Sequence, residues 1–454
     1  MTKERGQWGS RIGFVLAAAG SAIGLGAIWK FPYMAGVNGG GAFLLIYLAA
    51  VLGIGMSMML AELAMGRSTQ RDAIGAFRTL GGPLWSFFGW FSLLAAFILL
   101  SFYCVVGGWT VGYLLKALTG SLLQPDDAVG FARLFENFIG DPVYSLVFFA
   151  VFMLMTVSII LGGVQKGIER VSKVLMPLLF LLMLVMIVRS VTLPGAMEGV
   201  KFLLMPDLSK VTPRVLIDAL GFACFSLSLG FGAMLTYGSY ISKTENMAKS
   251  ALWVVVLQTL CTILAGFMVM PAVFAFGMPP TAGPGLSYIT LPAVFKAMPG
   301  GTFFAVAFFA LLLIAALTSS VSIIEPIVAH FIDQYGITRK KAACAVAFFS
   351  FIAGVPAAWS FGGADVWRLF GLTPFDMMDY VTSNIMLPVN VLAACLLMAW
   401  VVPHVFKREL YLRLAEFQGR QQARIPAWAA YIIITCRYIA PLVITAILLV
   451  SLLQ

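Results

Sequence analysis

The fold class this sequence predicts is an all-α integral membrane protein of eleven transmembrane helices. Three observations predict it. Of 454 residues, 61% are hydrophobic and only 11% charged, whereas soluble domains run near a quarter charged. A soluble chain of this length has no core large enough to hide so much apolar surface. The apolar residues also fall into runs of about 20, the length that crosses a bilayer as a helix. Eleven such runs are found, at 11–36, 41–66, 87–118, 143–162, 167–188, 213–240, 247–277, 301–332, 338–360, 375–403 and 427–452. They are numbered here as spans 1 to 11. The first 30 residues do not read as a cleavable signal, because the apolar run continues into Trp29, Lys30, Phe31 and Pro32 without a cleavage site.

Charge sets the expected orientation. With the N-terminus in the cytoplasm, the inner segments hold 20 of the 29 Lys and Arg residues, while Asp126, Asp127, Glu136 and Asp141 fall in the first long outer loop. The positive-inside rule then predicts a cytoplasmic N-terminus and an external C-terminus. The net charge of +10 therefore reads as topology, and nucleic-acid binding is excluded. Cys104, Cys224, Cys261, Cys344, Cys395 and Cys436 sit inside apolar runs and read as small core residues. With only His330 and His404, histidine-based metal or triad chemistry has little to work with. No HExxH, no GxSxG with partners and no Cys/His cluster is present, so no enzyme is expected.

Two spans carry matching interruptions. Residues 20–26 read GSAIGLG and residues 226–232 read SLSLGFG, with Gly24 and Gly26 separated from Gly230 and Gly232 by the same 206 residues. Each segment opens a block of five spans, 11–188 and 213–403, and an odd number of spans inverts the second block relative to the first. Paired Gly-interrupted helices in inverted halves point to a transporter's midplane site. Helix unwinding at membrane depth is tolerated only around a cavity. There the half-helix N-termini favour an anionic group and the freed carbonyls a cation. Close helix packing is the alternative use of such glycines; the shared offset and the flanking Ser21, Ser226 and Ser228 favour a site. Ionisable residues at membrane depth, which are functional candidates by default, are Lys30, Glu62, Asp218, Glu325 and Asp379. Glu62 and Glu325 read equally well as hydrogen-bonding braces.

The motifs WGSRIGFVLAAAGSAIGLGAIWKFPY (8–33), NGGGAFLLIY (38–47), ELAMGR (62–67), FSLSLGFGAMLTYGSY (225–240), ITLPAVF (289–295) and ALTSS (316–320) resemble the neurotransmitter:sodium symporter family over essentially the whole chain. The resemblance implies the leucine-transporter fold in one domain, 1–454, with two inverted five-helix repeats, broken helices 1 and 6 and an additional helix at 427–452. It implies import of an amino acid or related small zwitterion, driven by sodium through alternating access. Eleven spans with short loops suit a bacterial inner membrane. The expected partners are a small-molecule substrate, sodium and the lipid bilayer.

Carried over position by position, the resemblance implies carboxylate contacts at Leu25, Gly26 and Tyr103, and amino-group contacts at Ala22, Phe225, Ser226 and Ser228, with small Ser21 alongside. The side-chain subpocket would be Leu99, Phe225, Phe231, Ser319 and Ile323. An outer gate would pair Lys30 with Asp379, and an inner gate Arg5 with Asp333 near Trp8 and Tyr240. Lys30 stands where the family has Arg and loses bidentate geometry. One sodium site is complete: main-chain oxygens of Gly20, Ile23 and Ala315 with the hydroxyls of Thr318 and Ser319. An all-oxygen set suits a hard cation. The other site, at Ala22, Ala27, Ser226 and Gln258, is degraded, because Ala27 replaces an Asn and Gln258 is one methylene longer than the Asn it replaces. The chloride-site positions keep Tyr47 and Ser226 but have Phe222 and Thr262. These departures predict one sodium ion and no chloride dependence, and aromatic Tyr103, Phe225 and Phe231 with aliphatic Leu99 and Ile323 favour a small or medium neutral amino acid as substrate. The alternatives are uptake of a non-amino-acid amine with altered ion coupling, a channel, or a non-transporting sensor on the same scaffold.

Overall fold

A computed structural model of the chain describes residues 6–278, 285–362, 367–417 and 425–453. Nine described helices are long and apolar enough to cross a bilayer: Gly41–Thr69, Pro83–Leu118, Pro142–Leu161, Gly163–Val191, Met247–Ala275, Gly301–Tyr335, Arg339–Ala358, Pro374–Val401 and Ala427–Leu453. They correspond to spans 2–5 and 7–11. Span 1 is a bent pair, Arg11–Ala22 and Gly26–Val37, with 49° between the halves. Span 6 is two half-helices, Pro213–Ser226 and Ala233–Ser239, separated by irregular backbone at 227–232. No described residue lies in a regular strand; a single bridge joins Leu369 and Leu372.

Local chemistry sets where the spans begin. Ser10, Asp141, Thr212 and Asn246 each accept a hydrogen bond from a backbone N–H in the first turn of spans 1, 4, 6 and 7, satisfying donors that a helix start leaves orphaned. Spans 3 and 8 are the central columns. In their most apolar stretches 72% and 78% of residues are buried, against 28% in span 5 and 39% in spans 4 and 11, which turn their apolar faces to lipid. The interrupted spans 1 and 6 pack among these columns.

The breaks have identifiable causes. Gly230 has φ +92°, and a Cβ there would lie 2.4 Å from the Leu387 carbonyl oxygen, so this position needs glycine for both conformation and space. A Cβ on Gly24 would lie 2.3 Å from Ser319 Oγ, which lets span 8 approach the span 1 backbone. Outside the spans, short helices at Ala73–Gly81, Ala128–Gly140 and Ala196–Leu204 cover the bundle ends. These lay in segments read from sequence only as loops. The signal was available in Phe131, Phe135, Phe138 and Ile139, a helical repeat of apolar residues.

Candidate substrate and ion site

The two helix breaks face each other. Ser228 Oγ, at the span 6 break, donates to the Ser21 carbonyl of span 1 at 2.8 Å. Ser319 Oγ, on span 8, donates to the same carbonyl at 2.9 Å. The Leu25 N–H points to Tyr103 Oη of span 3 at 3.4 Å. From behind the span 6 break, the buried Glu62 accepts from the Gly230 N–H at 2.8 Å. Glu62 is therefore a brace for unwound backbone, one of its two readings from sequence.

These contacts surround a cavity of about 40 Å³, space for a few waters. All twelve residues expected around a substrate line it: Ser21, Ala22, Leu25, Gly26, Leu99, Tyr103, Phe225, Ser226, Ser228, Phe231, Ser319 and Ile323. Gly24 and Leu387 complete the wall. Leu387 had not been singled out, because an apolar residue in an apolar span carries no sequence signal. The half-helix starting at Gly26 turns its N-terminal end to the cavity, beside the Tyr103 hydroxyl. That edge suits a carboxylate. The opposite edge is built from carbonyl and hydroxyl oxygens, which accept from an ammonium.

Four of the five residues expected to hold sodium, Gly20, Ala315, Thr318 and Ser319, also converge. Thr318 Oγ1 lies 3.1 Å from the Ala315 carbonyl oxygen and 3.2 Å from that of Ile314. Ser319 Oγ lies 3.3 Å from the Gly20 carbonyl oxygen. Spans 1 and 8 touch here, since a Cβ on Gly20 would meet Thr318 Cβ at 3.2 Å. This is an oxygen-only cluster that adjoins the central cavity and shares Ser319 with it. No group of three or more His, Cys, Asp or Glu side chains able to hold a metal occurs among the described residues.

The degraded position looks different. Gln258 Oε1 accepts from Tyr47 Oη at 3.0 Å, and its Nε2 donates to Thr262 Oγ1 at 3.0 Å. Thr262 Oγ1 in turn donates to the Gln258 carbonyl at 3.0 Å, and Ser226 Oγ to the Ala223 carbonyl at 3.1 Å. Tyr47 Oη lies 3.4 Å from both Ser226 Oγ and Thr262 Oγ1. All four residues are buried. The longer Gln258 side chain reaches Tyr47 and Thr262, two of the chloride-site positions, and closes a neutral network there. The Phe222 ring covers it, 5.1 Å from the Tyr47 ring and 6.0 Å from Phe31.

The two ends of the cavity differ in how they are closed. Phe225 lines the central cavity and a larger one of about 160 Å³, which also borders Lys30, Asp218, Phe222, Ser383 and Asn384. Lys30 Nζ sits 4.6 Å from the centroid of the Phe225 ring, a cation–π contact. Asp379 accepts from Ser383 Oγ at 2.7 Å, and no Lys30–Asp379 ion pair is formed. At the other end, Trp8 donates from Nε1 to the Tyr237 carbonyl at 3.0 Å and from its backbone N–H to that of Tyr240 at 3.2 Å. Glu325 accepts from Tyr240 Oη at 2.8 Å and from Arg339 Nη1 and Nη2 at 2.7 and 2.9 Å, so it too is a brace. Asp333 lies in the last turn of span 8; Arg5 lies outside the described residues.

Two further polar anchors at this end were not singled out from sequence. Glu169 holds the Gly9 N–H at 2.7 Å, Ser10 Oγ at 2.8 Å and Lys173 Nζ at 2.7 Å. The buried Arg67 pairs with Glu409 at 2.6 Å and donates to the Glu245 carbonyl at 2.7 Å. Their signal was a charge at the end of an apolar run, which does not name its partner.

Comparison with known proteins gives a consistent set of similarities. The sodium:neurotransmitter symporter family model matches residues 5–126 and 137–454. An uncharacterized sodium-dependent transporter, YhdH of Bacillus subtilis, is 43% identical over 98% of this chain and 97% of its own length. A sodium- and chloride-dependent taurine transporter of Canis lupus familiaris is 27% identical over 88% of this chain and 72% of its own. Among solved structures, MhsT in complex with L-phenylalanine superposes with a TM-score of 0.89 at 41% identity, covering 98% of this chain and 100% of that one.

Proposed function

The chain belongs to the sodium:neurotransmitter symporter family, and from that membership we propose that it imports a neutral amino acid or related small zwitterion with one sodium ion and without chloride. The observation that carries this reading is the pair of facing helix breaks around one cavity. Half-helix N–H groups and Tyr103 take the carboxylate, and the carbonyls and hydroxyls near Ser21, Ala22 and Ser226 take the ammonium. Leu99, Phe225, Phe231 and Ile323 receive the side chain. That MhsT holds L-phenylalanine supports an amino acid as cargo here.

Sodium travels with the substrate at Gly20, Ile23, Ala315, Thr318 and Ser319. It draws the carbonyls at the span 1 break toward span 8 and so favours the geometry that receives substrate. The other family ion position supplies no charge and no free amide, since Gln258 is occupied by Tyr47 and Thr262. Displacing that network by a cation or an anion would orphan buried groups. The Canis taurine transporter is named for chloride dependence; here the same region is closed by Phe222 and the neutral network.

Alternating access follows from the asymmetry of the two ends. With the N-terminus cytoplasmic, the Lys30–Phe225 side faces outward and is closed by one ring and one ammonium, while the Trp8–Tyr240 side is closed by interlocked hydrogen bonds. Import requires the first to tighten over the substrate and the second to release, with blocks 11–188 and 213–403 moving against each other. Uptake of labelled neutral L-amino acids into proteoliposomes tests the proposal. Concentrative uptake that requires an inward sodium gradient is expected. Sodium-dependent binding without uptake would make the protein a sensor, and gradient-independent flux would make it a channel.

A further inference from the structure

Spans 3, 8 and 9 line a third cavity, which shares no residue with the central one. It measures about 700 Å³, with Trp90 and Leu94 on span 3, His330 and Phe331 on span 8, Phe349 on span 9 and Lys341 at its mouth. Trp90, Leu94 and Phe349 are each at least half exposed, so the groove opens sideways, where a spanning protein meets lipid.

Two features distinguish it from an ordinary seam between helices. The first is His330, which is 3% exposed. Its Nδ1 is hydrogen-bonded to Asp72 Oδ2 at 2.8 Å, Gln334 holds the other Asp72 oxygen at 3.0 Å, and the Trp90 ring packs edge-on at 5.2 Å. Its Nε2 is buried with no hydrogen-bond partner among the described residues. A buried polar atom of this kind is costly unless something pairs with it. The second feature is charge. Lys340 and Lys341 are exposed at the start of span 9, while the adjacent Arg339 is already bound to Glu325. The groove thus presents, in order, a cation at the mouth, one unpaired polar atom below it, and an apolar trough.

A phospholipid has the same order of groups, and we propose that this groove binds one molecule of an anionic phospholipid. Its phosphate sits at Lys341, its glycerol region reaches His330 Nε2, and one acyl chain lies along Trp90, Leu94 and Phe349. With Nδ1 held by the Asp72 carboxylate, a protonated Nε2 donates to an ester carbonyl of the glycerol region. Lys341 makes the headgroup preference anionic. Spans 3 and 8 also carry Leu99, Tyr103, Ser319 and Ile323, so the lipid would brace the two helices that wall the central cavity.

The test uses the full chain in nanodiscs containing phospholipid with dibrominated acyl chains, whose bromine quenches nearby tryptophan. Brominated phosphatidylglycerol should quench more than brominated phosphatidylcholine at equal mole fraction. The excess should disappear in Trp90→Phe and in Ala345→Phe, which fills the groove. In Lys341→Glu the apparent affinity for phosphatidylglycerol should fall roughly tenfold or more. Equal quenching by the two lipids would overturn the proposal, as would an excess that survives Ala345→Phe. A concentration-dependent dimer lost in Ala345→Phe would assign the groove to a second copy of the chain and overturn it as well. Lys341 and Trp90 are both exposed, so their variants test the idea even if the filled groove misfolds.

Discussion

Two neighbouring polar clusters beside the substrate cavity have opposite designs. Between spans 1 and 8, the Gly20 and Ala315 carbonyls join the Thr318 and Ser319 hydroxyls. In the proposed function this cluster takes the cation, because carbonyl oxygens keep a second lone pair when hydrogen-bonded and hydroxyls rotate. Among Tyr47, Ser226, Gln258 and Thr262, a carboxamide N–H points inward and every group has a partner within 3.4 Å. There an ion would have to displace bonds already made. The lesson is that polarity alone does not make an ion site; what matters is whether the oxygens can turn to an ion without leaving a buried partner unpaired.

The largest expected effect breaks the first cluster. Thr318→Ala with Ser319→Ala removes two of five oxygens, each worth about 1.5–3 kcal/mol toward a charged partner. Sodium affinity, read by sodium-dependent substrate binding, should fall at least about a hundredfold. Unchanged sodium dependence would show that the ion sits elsewhere.

The next inverts the second cluster. Ala27→Asn together with Gln258→Asn restores two carboxamides and frees them from Tyr47 and Thr262. Sodium carried per substrate should rise from one to two in reconstituted vesicles. A count that stays at one would mean that more than these residues excludes the second ion. The added bulk at fully buried Ala27 carries an overpacking cost of about 1–3 kcal/mol, so a melting curve must accompany the count.

Gln258→Leu sharpens the contrast from the other side. It leaves the Tyr47 hydroxyl without its closest partner, and stability should drop by about 1–3 kcal/mol in a denaturant or thermal melt. Sodium dependence should be unchanged. Loss of sodium dependence with intact stability would make Gln258 an ion ligand after all. The smallest expected effect is none: replacing chloride by gluconate should leave the uptake rate unchanged, and a chloride requirement would reopen the Phe222-covered position.

Much of this was legible in the sequence. Apolar runs place all eleven spans to within four residues of the observed ends, because lipid demands a continuous apolar helix. The matched glycines mark both breaks, Gly230 by its backbone conformation and Gly24 by the close approach of Ser319. The twelve residues named around the cavity gather there, since the resemblance transfers positions one by one. What was not legible depends on distant partners. Glu62 and Glu325 were visible as costly charges and as candidate braces, but their partners, Gly230 for the first and Arg339 with Tyr240 for the second, were not. Arg67 and Glu409 lie 342 residues apart, and nothing in either local sequence names the other. The engagement of Gln258 by Tyr47 is of the same kind: the substitution is readable, the network it builds is not.

The most direct test of the one-ion account is the sodium-to-substrate ratio, obtained from the reversal potential of coupled flux in proteoliposomes at clamped membrane potential. A ratio of one is predicted; a ratio of two would contradict it.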